Sequence, residues 1–204
     1  MDSNKSESKK DEIVDDNDIS PAARIPKFVL DSQIYNGEEI SFLMDQLKES
    51  TESQDLFFEL VYRASRDGDS KFHDFCDEQG PNISLIRTNK GKVIGGYSKN
   101  SWNKSGGFSN DPTSFLFSIS DNKIWKIKNK IYATYNVDQT YIMSYGYPDG
   151  IILYTNFLSD SKNEAYICGS SFYHDGNESG NIYIGGEKNF TCEEVEVFKV
   201  IIHK

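Results

Sequence analysis

Only three cysteines and five prolines occur among the 204 residues, and no apolar run approaches the roughly 20 residues that a membrane-spanning helix needs. Cys76, Cys168 and Cys192 are widely separated and form no paired motif, which argues against a thiolate zinc site and a disulfide framework. All three are expected to be free thiols. The first twenty residues, "MDSNKSESKKDEIVDDNDIS", contain no apolar core of a secretory leader. A cytoplasmic location is therefore expected, with nuclear or peripheral endomembrane association as open alternatives. The Asn-x-Ser/Thr matches at Asn82, Asn103, Asn177 and Asn189 are then accidents of composition. Positive charge is the other shortage: 22 Lys and Arg face 32 Asp and Glu, for a formal charge of −10. Such a surface repels phosphate backbones, so no nucleic-acid partner is expected. The one local basic run, Lys123, Lys126, Lys128 and Lys130, reads as a solvated strand and turn.

Catalytic signatures are missing as well. There is no G-x-S-x-G elbow, H-E-x-x-H helix or Walker loop. A Cys or Ser nucleophile needs a base, and only His73, His174 and His203 are available. The chain is expected not to be an enzyme and to need no cofactor. His73 and Cys76 lie three apart on a predicted helix, but structural zinc takes four ligands, and Cys76 reads better as a core thiol. The stretch "DGNESGNIYIGG" places Asp175, Asn177, Ser179 and Gly180 like the first half of a calcium loop. Its twelfth position is Gly186 instead of a bidentate Glu, so no metal site is expected there, with Asp175, Asn177 and Ser179 the nearest approach to one. In "EEVEVF", strand alternation puts Glu194 and Glu196 on one face and Val195 and Val197 on the other, the pattern of a half-solvated strand.

Aromatic residues are abundant, with 12 Tyr and 13 Phe, and they favour half-buried pleated strands. Residues 1–27 are charged and poor in large apolar groups, which predicts a disordered acidic and polar tail before one domain over 28–204. Ile40, Leu43, Met44 and Leu47 follow the spacing of one helix face, with Asn36 or Gly37 as its start and Glu38 and Glu39 at its positive end. "DLFFELVYRAS" favours a strand. "SKFHDFCDE" predicts a short helix capped by Ser70, with Phe72, Phe75 and Cys76 on one face and Gly80-Pro81 as its stop. "NISLIRTNKGKVIGGYS" predicts a hairpin turning at Asn89-Lys90-Gly91, with Gly95-Gly96 marking a bulge or a close backbone approach. "SFLFSIS", "KIWKIKN", "YIMSYGYP", "GIILYTNF", "AYICGSSFY", "NIYIGG" and "EEVEVFKVII" supply further short strands. The fold class is α+β, mainly antiparallel β: a two-sheet sandwich flanked by short helices.

Taken in order, these pieces resemble the TLDc domain of the oxidation-resistance protein family. The resemblance rests on "LVYRASRDGDSKFHDFCDEQGPNISLIRTNKGKVIGGYSKNSW", "FLFSI" and "YIGGEKNFTCEEVEVFKV", with "DSQIYNGEEISFLMDQL" suiting the first segment. The matching positions are Tyr62, Arg66, Asp67, Gly68, Ser70, Phe72, Cys76, Gly80, Pro81, Gly95, Gly96, Tyr97, Trp102, Phe115, Phe117, Gly185, Gly186, Phe190, Glu196 and Phe198. All are read as structural: Arg66 and Asp67 satisfy backbone groups and each other, and Gly68 permits a positive φ at the corner. The chain departs from the family at "SYGYPDGIILY", where Tyr147-Pro148 replaces further glycines, and at Phe57 or Phe58, where a Trp is usual. The resemblance implies a non-catalytic interaction domain linked to oxidative-stress resistance. It also implies a protein partner in the cytosolic sector of the vacuolar proton-pumping ATPase. Two alternatives stay open: a thiol-based oxidant scavenger and a calcium-responsive adaptor.

Overall fold

The structure, a computed structural model, describes residues 30–35, 40–136, 140–174 and 180–203. The expected tail, Asn36 to Glu39, and the calcium candidates Asp175, Asn177 and Ser179 lie outside the described residues. In chain order the elements are α1 (Ser41–Thr51), β1 (Asp55–Arg63), α2 (Ala64–Asp67), a 3-10 turn (Asp69–Lys71), α3 (Phe72–Cys76), β2 (Asn82–Thr88), β3 (Val93–Ser98) and β4 (Phe108–Ser109). Then follow β5 (Phe115–Ser118), β6 (Lys123–Lys126), a 3-10 turn (Lys130–Tyr132), β7 (Thr134–Tyr135), β8 (Tyr141–Tyr145), β9 (Gly150–Tyr154), β10 (Asn163–Tyr166), β11 (Asn189–Phe190) and β12 (Cys192–His203). Two six-stranded antiparallel sheets result, in the orders β1-β12-β2-β3-β5-β6 and β11-β10-β9-β8-β7-β4.

The first sheet is buried on both faces. On β2 and β5, Ile83, Leu85, Phe115 and Phe117 meet α1 through Leu43, Met44 and Leu47, while Ile86 and Leu116 meet the second sheet. Neither Gly95 nor Gly96 is a bulge: both pair in register with β2 and β5. They are a close approach instead. A Cβ on Gly95 would run into the Ser84 carbonyl oxygen and the Phe117 ring, so only hydrogen fits there.

Several expectations need correction. Helix α1 begins at Ser41 with Ile40 before it, and no acidic residue occupies its first turn, although its apolar stripe is buried as the spacing requires. Ser70 does not cap α3. It sits inside the 3-10 turn, and the residue before α3 is Lys71, which makes no capping hydrogen bond. Phe75 leaves the shared face and is 41% exposed, because five residues give α3 little more than one turn to bury. "NIYIGG" forms one isolated bridge, Ile182 to Ile167, in place of a strand, and Cys168 lies beyond the end of β10.

The largest correction concerns Glu194 and Glu196. They do share a face, but both are buried. Residues 31–35 and the start of α2 cover that face. Glu196 accepts hydrogen bonds from Arg63 Nε at 2.7 Å, from the Gln33 amide at 2.9 Å and from the Ser32 hydroxyl. Arg63 also donates to the Asp31 carbonyl at 2.7 Å. Glu194 accepts from the Ser65 amide at 3.1 Å, which ties β12 to α2. A strand with carboxylates on one face stays folded because each carboxylate is answered by a cation or by N–H groups.

Candidate functional site

The stretch that carries the family resemblance is an inward-facing corner. The Tyr62 hydroxyl donates to the Gly68 carbonyl at 3.0 Å, and its ring lies edge-on to Phe72 at 5.4 Å. Phe72 in turn meets Trp102 at 6.0 Å, and Trp102 meets Tyr145 at 5.0 Å, so a line of rings runs from the corner into the inter-sheet core. Gly68 takes a φ of +86° and donates to the Ala64 carbonyl at 2.9 Å. Asp67 accepts from the Arg63 amide at 2.9 Å and from both Nε and Nη2 of Arg66 at 2.7 Å. The Arg66 guanidinium, first among the causes, holds the Asp67 carboxyl below the usual carboxylate range. The Gly80 amide donates to Ser101 at 2.8 Å, and Trp102 pairs with Asp77 and Glu78 through its backbone. Tyr97, Phe115, Phe117, Phe190 and Phe198 are all fully buried.

The chemistry-bearing side chains do not converge. His73 Nδ1 lies 2.7 Å from an oxygen of Asp77, and Cys76 is buried in the core. Among the described residues, no group of three or more His, Cys, Asp or Glu could hold a metal. Burial pushes the thiols of Cys76 and Cys192 up, and Asp77 and then Asp67 add to the effect at Cys76. Cys168 is exposed, 3.2 Å from the Ser170 hydroxyl. A cavity of about 230 Å³ is lined by Ser70, His73, Lys104, Tyr141, Ile142, Thr155 and Asn156. A larger hollow of about 490 Å³ lies between the end of α1 and the end of β12.

One rim of the second sheet has a different character. Strand β4 ends that sheet, and Phe108 on it is 43% exposed. Its ring lies 4.7 Å from Tyr132, 4.6 Å from Tyr135 and 5.6 Å from Tyr147. The row continues from Tyr135 to Tyr141 at 6.5 Å and from Tyr141 to Tyr154 at 4.9 Å. Tyr147 is 53% exposed, and Ile131 beside Tyr132 is 49% exposed. Local chemistry explains why the rings stand together. β4 and β7 pair Phe108 with Tyr135, a cross-strand aromatic pair. The Tyr147 turn is pinned by Ser171, whose hydroxyl accepts from the Tyr147 amide at 3.0 Å and donates to its carbonyl. Asp149 fixes the loop behind it by accepting amides of Cys168 at 3.0 Å, Gly169 at 3.2 Å, Ser170 at 3.3 Å and Ser171. Exposed aromatic clusters of this kind mark surfaces that associate with other molecules.

A model of the TLDc domain family matches residues 28–201, nearly the whole chain. The chain belongs to the TLDc domain family. Membership carries an oxidative-stress-related, protein-binding character. No curated protein matches the chain. The positions that carry the family resemblance and the positions that make the aromatic rim are different sets. Tyr147 is on the rim, and its peptide bond to Pro148 is cis. Sequence reading missed Phe108, Tyr132 and Tyr135. The tyrosine-dense strings "KIYATY" and "SYGYP" were the available signal, but alternation along a strand does not say which end of a sheet is left uncovered.

Proposed function

We propose that this TLDc protein works by binding another protein, without catalysis, and that the bound partner is the cytosolic sector of the vacuolar proton-pumping ATPase. Through that contact it contributes to oxidative-stress resistance. The observation that carries the reading is the exposed aromatic rim around Phe108, set on a fold whose aromatic family-motif side chains are buried. The choice of the pump comes from the family resemblance alone. Against the thiol reading, Cys76 and Cys192 are buried with raised thiol pKa values, whereas oxidant chemistry uses an accessible thiolate; the exposed Cys168 is the one candidate it keeps.

Tagged full-length protein recovered from its own cells, with and without peroxide, tests this reading by mass spectrometry of what co-purifies. The pump's cytosolic subunits are expected with the wild type and are expected to be depleted with the Phe108→Ser/Tyr147→Ser variant. Their absence from a folded, abundant bait would remove the pump as partner. Peroxide consumption by the purified protein beyond stoichiometric loss of its thiols would overturn the non-catalytic part.

A further inference from the structure

We propose that Ser32 is a phosphorylation site whose modification releases residues 31–35 from β12; this goes beyond the protein-binding reading and does not depend on it. The Ser32 hydroxyl is the hub of that contact. It donates to Glu196, and it accepts the amides of Ile34 at 3.1 Å and Tyr35 at 3.0 Å. The Gln33 amide donates to the other Glu196 oxygen at 2.9 Å. Glu196 is fully buried beneath this strap, while Ser32 is half-buried between the exposed Asp31 and Gln33.

Residues 31–35 belong to no helix or strand. A short irregular segment opens locally at far less cost than the whole fold, which lets a protein kinase take the serine in an extended form. In that step the γ-phosphoryl group of a nucleoside triphosphate passes to Ser32 Oγ. The bond to the β-phosphate oxygen breaks, a P–Oγ bond forms, the nucleoside diphosphate leaves, and the hydroxyl proton goes to the kinase's base.

Once modified, the serine no longer fits its place. The proton it gave to Glu196 is gone, and a group of about −1.5 to −2 charge stands against a buried carboxylate. The neighbouring cations are already engaged. Arg63 serves Glu196 and the Asp31 carbonyl, each at 2.7 Å, and Arg87 reaches the Gln33 carbonyl at 3.2 Å with Glu193 3.5 Å from its Nε. Glu194, on the same face as Glu196, adds a further carboxylate, which accepts the Ser65 and Val195 amides. The chain on either side brings no surplus: residues 24–39 carry Arg24 and Lys27 against Asp31, Glu38 and Glu39. Like-charge repulsion and desolvation therefore lift the strap. Helix α1 stays packed through Leu43, Met44 and Leu47.

Full-length protein carrying phosphoserine at position 32, installed during synthesis, is to be compared with wild type and Ser32→Ala by backbone hydrogen exchange. The amides of Gln33, Ile34 and Tyr35 are expected to exchange about tenfold faster in Ser32→Ala and about a hundredfold faster in the phosphoserine protein. Those of α1 and β2 should keep wild-type protection in both. Equal exchange in the phosphoserine and Ser32→Ala proteins would mean that the added charge does nothing. Slower exchange than wild type would mean that Arg63 and Arg87 capture the phosphate, and loss of protection along the whole chain would mean that the release is not local. Each of these results overturns the inference. In protein recovered from its own cells, the Ser32 peptide is expected to carry phosphate that a phosphatase removes. A Ser32 left unmodified with and without peroxide would overturn the inference as well.

Discussion

At the corner made by β1, α2 and α3, Tyr62, Phe72 and Cys76 turn inward while Phe75 stays out, and polar groups find partners within the chain; at the rim made by β4, β7 and the Tyr147 turn, a whole group of rings stands partly in solvent. Glu196 shows the first habit: it is fully buried, with an ion pair and two further donors. Phe108 shows the second, nearly half exposed in the middle of three other rings. In the proposed function, what the domain offers a partner is the rim.

Removing Glu196 should break this contrast at its strongest point. Glu196→Ala leaves Arg63 buried with its charge unanswered and releases Ser32 and Gln33 from β12. Loss of one partner of a buried pair costs about 3–5 kcal/mol. For a domain of this size that corresponds to a fall in Tm of roughly 10 °C, measurable by circular dichroism or calorimetry. An unchanged Tm would mean that the clasp of residues 31–35 onto β12 contributes little.

Gly95→Ala comes next. The added methyl meets the Ser84 carbonyl oxygen and the Phe117 ring, and β2, β3 and β5 are locked in register around it. Overpacking of this kind costs about 1–3 kcal/mol, and backbone cannot yield as a side-chain tip can. Chemical denaturation should show a lower midpoint with an unchanged slope. In the same protein, a maleimide reagent at neutral pH should label Cys168 alone. Cys76 and Cys192 should react only once the fold opens, because burial both hides them and disfavours the thiolate. Labelling of Cys76 in the native state would show that the corner opens readily.

How much of this contrast can be read from the chain depends on distance along it. The β2–β3 hairpin, the α1 stripe and the Arg66-Asp67-Gly68 corner rest on residues a few positions apart, and alternation, 3.6-residue spacing and turn chemistry report them well. Glu196 shows where that ends. Its neighbours in sequence describe a strand with a wet face, and what covers that face is Ser32 and Gln33, more than 160 positions away. Ser70 fails for the opposite reason. It has the right chemistry for a cap, but the chain enters α3 through a 3-10 turn that places Lys71 there instead. The rim was illegible because exposure belongs to the sheet order: β4 is at an edge, and nothing in "GGFSND" announces it.

Asp67 offers a smaller, pH-dependent effect. Its carboxyl is held below the ordinary range by Arg66, so its contribution is present above the unfolded value near 4 and is lost as pH falls through the lower folded value. Arg66 is close to half exposed, so solvent screening limits the pair to about 1 kcal/mol or less. Thermal melts should show Asp67→Asn less stable than wild type at neutral pH, with the gap closing toward pH 3. A gap that widened in acid would contradict the assignment of Arg66 as the dominant partner.

The smallest expected change is at the rim. Phe108→Ser/Tyr147→Ser removes two rings that are about half in water, and surface changes of this kind usually stay within about 0.5 kcal/mol. Each ring does touch its neighbours, and an aromatic pair adds about 0.5–1.5 kcal/mol when well packed, so the outcome decides what the row of rings is for. A Tm within about 2 °C of wild type, with partner recovery lost, would mean that the rings are held together for an outside surface. A fall as large as that of Glu196→Ala would mean that the rim is a second structural corner, and the division between the two ends would disappear. The rings at Phe108 and Tyr147 are therefore the place where stability and binding can be separated in a single variant.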